Sequence, residues 1–159
     1  MTVARIAPMR PRLSRLDEIY PGYSIFFVTF GTHERQPLLA NSAIHDSFQK
    51  FCILGRERHA LAGRYVIMPD HLHFFVNLGE EMPIALWIKS LKNSLSKTLR
   101  ELENQSPHWQ KGYFDHLVRS EQSYEEKWLY VRENPIRKGL TAEANDWPYQ
   151  GEVNPLPFN

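Results

Sequence analysis

Residues 65–76 read YVIMPDHLHFFV, with His71 and His73 one residue apart in an apolar, β-branched and aromatic run. Side chains alternate along a strand, so both imidazoles point to one face while Leu72 and Phe74 point to the other. Such a pair is preset to converge on one ion. Imidazole suits zinc, manganese, nickel or iron, whereas magnesium prefers oxygen and keeps several waters. Two histidines leave most of a coordination sphere open, which fits catalysis better than a structural metal. Cys52 is the single cysteine, which excludes an intrachain disulfide and a cysteine-based zinc cluster. The competing structural role is a pair of half-buried histidines bonded to backbone.

The second chemically informative segment is WLYVRENPIRKGL, residues 128–140. Tyr130 and Asn134 are four apart and share a helix face if the helix runs on across Glu133. A phenol, with an ordinary pKa near ~10, is a poor nucleophile at neutral pH. It becomes useful where a metal polarises the electrophile. Asn134 supplies a potential amide ligand one turn away, which favours Tyr130 over the rival phenols Tyr113 and Tyr124. The structural alternatives are a core tyrosine and an asparagine that caps a helix before proline.

These groups need a scaffold. With 159 residues, 42% of them hydrophobic, the chain predicts one compact domain with a single site. A net charge of +1 excludes a strongly acidic or histone-like chain, although a local basic face remains compatible with it. No apolar window approaches the ~20 residues of a membrane helix, and the first fifteen residues lack the apolar centre of a secretory signal; a cytoplasmic protein is expected. Residues 5–15, RIAPMRPRLSR, carry four arginines and two prolines. They read as an extended basic arm, over 1–15, that either contacts phosphates or is a solvated tail.

A β-branched and aromatic run at 23–31 predicts a central strand. Apolar spacing from Ser42, with Asn41 or Ser42 as cap, predicts a helix to about 59. Two strands follow, hinged at Met68-Pro69-Asp70 because proline cannot sit inside a central ladder. Pro83 opens a second helix to about Asn104, and a third covers about Tyr124 to Glu133. The closing residues, rich in Pro, Asn and aromatic side chains, predict irregular packing. The order of elements predicts an α+β fold of ferredoxin-like type, a mixed or antiparallel sheet with helices packed on one face.

MPDHLHFFV resembles the His-hydrophobe-His motif of the HUH single-strand endonucleases, and its wording is closest to the REP-associated tyrosine transposases, relatives of the single-strand insertion-sequence transposases. YVRENPIRKGL resembles the same family's tyrosine helix and its tail. IYPGYSIFFVTFGTHERQPLL, HWQKGYFDHLVRSEQSY and NDWPYQ match in order and spacing, so the resemblance spans roughly 15–150. It implies one transposase domain at 16–150 and a tail at 151–159. It further implies His71, His73 and Asn134 as ligands of a divalent ion, Mg2+ or Mn2+, and Tyr130 as nucleophile.

The implied substrate is single-stranded DNA bearing a hairpin, with a nucleoid-associated monomer or homodimer acting on it through a 5′-phosphotyrosine. Within that reading, Lys89, Lys92 and Arg100 on the second helix, and Arg132, Arg137 and Lys138 beside the tyrosine, are candidate DNA contacts. His116 and Arg119 match positions typical of the family. The chain departs from the family at Phe27, where a histidine is frequent, and at Asp70, where Asn or Glu is. A hairpin-binding protein without cleavage and a small metallohydrolase are the alternatives.

Overall fold

The computed structural model describes residues 24–156. The basic arm expected at 1–15, and the start of the domain expected from residue 16, lie outside the described residues. Five strands, β1 (Ser24–Gly31), β2 (Ala60–Ile67), β3 (His71–Leu78), β4 (Phe114–Val118) and β5 (Gln150–Glu152), form one sheet in the order β4-β1-β3-β2-β5. Each neighbouring pair is antiparallel. With the helices α1 (Ser42–Leu54), α2 (Ile84–Glu101), α3 (Glu121–Arg132) and α4 (Asn134–Arg137), this is the expected α+β fold.

The strand predicted at 23–31 is β1, and it pairs with β3 along its whole length, from Ser24 opposite Leu78 to Gly31 opposite His71. Met68, Pro69 and Asp70 make the tight connection from β2 to β3, closed by the Met68 N–H donating to the His71 carbonyl at 2.8 Å. Proline thus stands outside the ladder, where its missing N–H costs nothing.

One face of the sheet carries Val28, Phe30, Leu72, Phe74 and Val76 against Ile44, Phe48 and Cys52 of α1 and Trp87, Ile88, Leu91, Leu95 and Leu99 of α2. Burying each such leucine or isoleucine stabilises the fold by about 1.5–3 kcal/mol before entropy is subtracted. Asn41 caps α1 through its Oδ1, which accepts the Ile44 N–H at 2.9 Å. The expectation of helices on one face describes these two. The opposite face buries Ile25, Phe27, Val66, Phe75 and Val118 beneath Tyr124 and Val131 of α3 and Trp147.

Two strands were not foreseen. β4 pairs with β1 at one edge, and β5 pairs with β2 at the other, from Arg64 opposite Glu152 to Val66 opposite Gln150. The closing segment is therefore partly regular, and β5 straddles residue 150. In β2 the register shifts between Ala62 and Tyr65, so Ala62 belongs to the helix-covered face while Arg64 and Val66 turn to the other. Gly63 sits in that bulge, where a Cβ would lie 2.7 Å from Leu156 Cδ1.

Candidate active site

The parity of β3 sends His71, His73, Phe75 and Asn77 to the face covered by α3. Both histidines are buried, His71 at 2% and His73 at 1% exposure, with ring centroids 4.8 Å apart in an edge-to-face arrangement. Each has one ring nitrogen fixed. His71 Nδ1 is 2.7 Å from Asp70 Oδ1, and His73 Nδ1 is 2.7 Å from Thr29 Oγ1. A carboxylate can only accept, so His71 carries its proton on Nδ1 and presents an Nε2 lone pair. Thr29 stands directly opposite His73 in the β1–β3 register, and its hydroxyl, which can donate or accept, engages Nδ1.

The Nε2 atoms of both histidines are buried and have no hydrogen-bond partner. Two unpartnered ring nitrogens side by side are costly in a protein interior, and a bound cation relieves them where they present lone pairs. A polar partner on the far nitrogen is also the usual support of a metal-bound imidazole. Gly31 faces His71 across the ladder, so no side chain fills that position. The donor set therefore fits a divalent ion. Among the described residues no group of three or more His, Cys, Asp or Glu side chains could hold a metal, so a further ligand from those residues would be of another kind, an amide, a hydroxyl or a backbone carbonyl.

Burial lowers the pKa of His71, against the opposing pull of Asp70. It lowers His73 well below the ordinary imidazole value, helped by the positive charges of His71 and Arg137. Both imidazoles are neutral at pH 7, the state that metal ligation needs. Burial works to raise Asp70, but hydrogen bonds from His71 and from Arg35 Nε, at 2.8 Å, hold its carboxyl below its ordinary value.

The tyrosine segment forms a second cluster. α3 ends at Arg132 and α4 starts at Asn134, with Glu133 between them still in the right-handed helical region at φ −81°, ψ −8°. The helix is thus interrupted for one residue, so the continuous helix on which the shared face of Tyr130 and Asn134 is conditional does not form, although Glu133 keeps the chain in helical direction. Arg137 joins the two sides of this interruption: its guanidinium lies 4.1 Å from the Tyr130 ring centroid, donates to the Tyr130 carbonyl at 2.6 Å, and donates to Asn134 Oδ1. Gly139, at φ 70°, ends α4 with N–H bonds from Gly139 to Ile136 O and from Leu140 to Pro135 O, a Schellman stop. Tyr130 is 62% exposed, whereas Asn134 is buried with Nδ2 unpartnered. The amide oxygen has two lone pairs and Arg137 takes one, so it keeps capacity for a cation.

The rival phenols sit elsewhere. Tyr124 is buried, pushed up to about 12 by burial, and bonded to the Arg64 N–H at 3.4 Å. Tyr113 is buried in the core of the opposite face, and burial raises its pKa as well.

The cations expected to contact DNA divide between the two faces. His116 stands opposite Phe27 in the β1–β4 register and so lies on the histidine face; burial and the nearby Lys127 and Arg119 lower its pKa. Arg137 and Lys138 follow the tyrosine, and Arg132 donates to Asn145 Oδ1 at 2.6 Å. Lys89, Lys92 and Arg100 are on α2, across the sheet from the histidines. Lys92 is tied down by its bonds to the carbonyls of Gln110, at 3.3 Å, and Gly112, at 2.7 Å, and burial lowers its pKa to about 8.

Three supporting residues were not singled out from the sequence. Thr29 is the same-face partner of His73, a relation visible only once register is known. Asp70 stands in the sequence as a departure from the family rather than as the orienting carboxylate, although its adjacency to His71 is a signal. Lys127 Nζ lies 5.3 Å from the ring centroid of Phe27, whose ring stacks on His73 at 5.6 Å.

Residues 24–134 match the family model described as "Transposase IS200 like". The chain belongs to this transposase family. A REP-associated tyrosine transposase of Escherichia coli is 25% identical over 101 residues, covering 59% of this chain and 55% of the relative. A Haemophilus influenzae protein named for the same class is 29% identical over 94 residues, covering 52% and 53%. The chain thus spans about half the length of these relatives. A solved REP-associated tyrosine transposase bound to a REP hairpin superposes with a TM-score of 0.62 at 22% identity, over 82% of this chain and 78% of that one. At that identity the likeness establishes the fold.

Proposed function

We propose that the protein is a metal-dependent single-stranded DNA endonuclease and strand transferase acting through Tyr130. The observation that carries this reading is the pair of orphaned Nε2 atoms on His71 and His73, each with its Nδ1 already engaged. Family membership and a fold neighbour bound to a REP hairpin support hairpin-bearing repeat DNA as the substrate.

His71, His73 and the amide oxygen of Asn134 would hold the ion, with Mg2+ or Mn2+ as the candidates. Such an ion, when bound, polarises the phosphodiester and offsets charge developing at phosphorus. Asp70 keeps His71 in the ligating tautomer, and Thr29 would do the same for His73 by accepting from its Nδ1–H. Arg137 holds Tyr130 by its ring and its carbonyl, which limits the orientations of an otherwise exposed phenol. Tyr130 Oη attacks phosphorus as its proton passes to solvent water, the bond to the 3′-oxygen breaks, and that oxygen takes up a proton from solvent. The products are a 5′-phosphotyrosine and a free 3′-hydroxyl. Because the ester bond is conserved, a second 3′-hydroxyl can reverse the step without ATP.

Arg137 is close enough to His73 to lower its pKa, so the tyrosine cluster and the histidine pair share one electrostatic neighbourhood. The test is incubation with labelled single-stranded hairpin DNA plus Mn2+ or Mg2+, resolved on a denaturing gel beside Tyr130→Phe. A slow covalent band that requires metal and vanishes in the variant is expected. Binding without any adduct would instead identify a hairpin-binding protein, and a water-derived cleavage product a metallohydrolase.

A further inference from the structure

Resting on the strand-transfer reading, we propose that Phe114 and Lys127 form the seat for the unpaired nucleotide beside the scissile phosphate, the ring stacking on its base and the ammonium holding its phosphate. In register, Phe114 stands opposite Thr29, and Thr29 stands opposite His73. All three therefore lie in one row on one face. Two interstrand spacings of roughly 4.8 Å separate Phe114 from His73. A nucleotide adjoining a phosphate at the histidines falls within that span.

Phe114 is 51% exposed and, among the described residues, is the only large apolar side chain in a strand with that exposure. The other exposed apolar side chains sit on helices or their ends, where solvent contact is ordinary. An outward phenylalanine on an edge strand has no packing reason here. Beside a nucleic-acid site, an aromatic ring offers a sequence-tolerant platform, because every base has a π-face.

Lys127 supplies the charge. It projects from α3 over Phe27, three residues before Tyr130 and so on the same side of the helix. Among the described residues no carboxylate pairs with it. The ammonium is close enough to His116 to influence it, and Arg119 lies nearby. Asp70 is engaged by His71 and Arg35, and Asp115 acts on His116, but neither makes an ion pair with Lys127; a half-buried ammonium beside the site can take a backbone phosphate as its partner.

The test is fluorescence anisotropy with a labelled single-stranded hairpin oligonucleotide, run in the Tyr130→Phe background so that binding is read without chemistry. A single abasic position is walked along the unpaired segment. Phe114→Ala is expected to weaken the intact oligonucleotide by about 5- to 150-fold. It should also erase the penalty at one abasic position, and Phe114→Trp should restore both. Lys127→Ala should reduce the slope of log affinity against log salt by about 0.7, the value for one contact on a single strand. Lys127→Arg should retain the slope. A Phe114→Ala variant that binds within two-fold of its parent, or keeps every abasic penalty, overturns the proposal, as does an unchanged slope in Lys127→Ala. A parent that shows these effects while wild type forms no covalent adduct would sink the strand-transfer reading alone. An adduct in wild type together with an inert Phe114 would sink this inference alone.

Discussion

Thr29→Val tests whether β1 has a chemical as well as a structural role in the histidine site. Thr29 is 3% exposed, and its Oγ1 lies 2.7 Å from His73 Nδ1. Valine keeps the β-branched shape of the strand position and removes only the oxygen. The variant leaves His73 Nδ1 without its hydrogen-bond partner where water does not reach, which costs about 1–3 kcal/mol of stability. It also frees the ring to carry its proton on Nε2, the atom that must be bare for ligation. Loss of such a supporting partner typically weakens metal binding 10- to 100-fold, equivalent to about 1.4–2.7 kcal/mol. Titration of purified protein with Mn2+ at pH 7.5, by calorimetry or by following free Mn2+ with electron paramagnetic resonance, reads the affinity. A melting curve reads the stability. Asp70→Asn should act in the same direction and more strongly, since its amide can donate to His71 Nδ1 and impose the wrong tautomer. If Thr29→Val binds Mn2+ within two-fold of wild type while His73→Ala abolishes binding, the orienting role of Thr29 is refuted.

Because burial lowers the pKa of both histidines, the metal-free protein should lose stability as pH falls below about 6.5, where the unfolded imidazoles take up protons that the folded ones refuse. Their contribution is present above that pH and lost toward the depressed folded values, and melting of wild type against His73→Gln between pH 7.5 and 5 should show the shallower slope in the variant. Arg137→Met should lower single-turnover adduct formation at least 10-fold by releasing Tyr130 and Asn134, with hairpin affinity falling less, as judged by gel and anisotropy together. Charge reversal at Lys89 or Arg100, across the sheet from the histidines, should change hairpin affinity less than reversal at Arg119 or Arg137, measured in one anisotropy series. Gly63→Ala should destabilise the fold by about 1–3 kcal/mol, because its Cβ meets Leu156 and the Tyr124 hydroxyl, and denaturant unfolding would show it.

The parts of the molecule legible in the sequence were those with strong, long patterns. The β-branched run of β1, the HLHFFV alternation and the apolar spacing of α1 and α2 each bury one continuous stripe, and the structure places them accordingly. β4 escaped because Phe114 and His116 point outward from an edge strand, leaving only Val118 fully buried. β5 is three residues long and includes a glycine, too little for any period to register. α3 commits only Tyr124 and Val131 to the interior, so its sequence did not reveal that it covers the histidine face.

Within the candidate site, the spacing of the histidines and the family resemblance of the Tyr130–Asn134 segment single out those four residues, but nothing local singles out the groups that contact them. Thr29 becomes a partner of His73 only through the β1–β3 register, a long-range property that local sequence does not encode. Arg137 reads as a phosphate contact in the sequence; in the structure it stays exposed while its guanidinium also lies over the Tyr130 ring and bonds Asn134. The cations of α2 look equivalent to those near the tyrosine until the sheet is placed between them and the histidines. Charge is visible in a sequence, but which face carries it depends on the packing.

The most direct test of the central claim is to trap the protein on a labelled hairpin oligonucleotide with Mn2+, digest protein and DNA, and map the nucleotide-bearing peptide by mass spectrometry. The account predicts the adduct on the peptide containing Tyr130, dependent on metal and absent from His71→Ala and His73→Ala. An adduct on Tyr113 or Tyr124, or one that forms undiminished without the histidines, would contradict it.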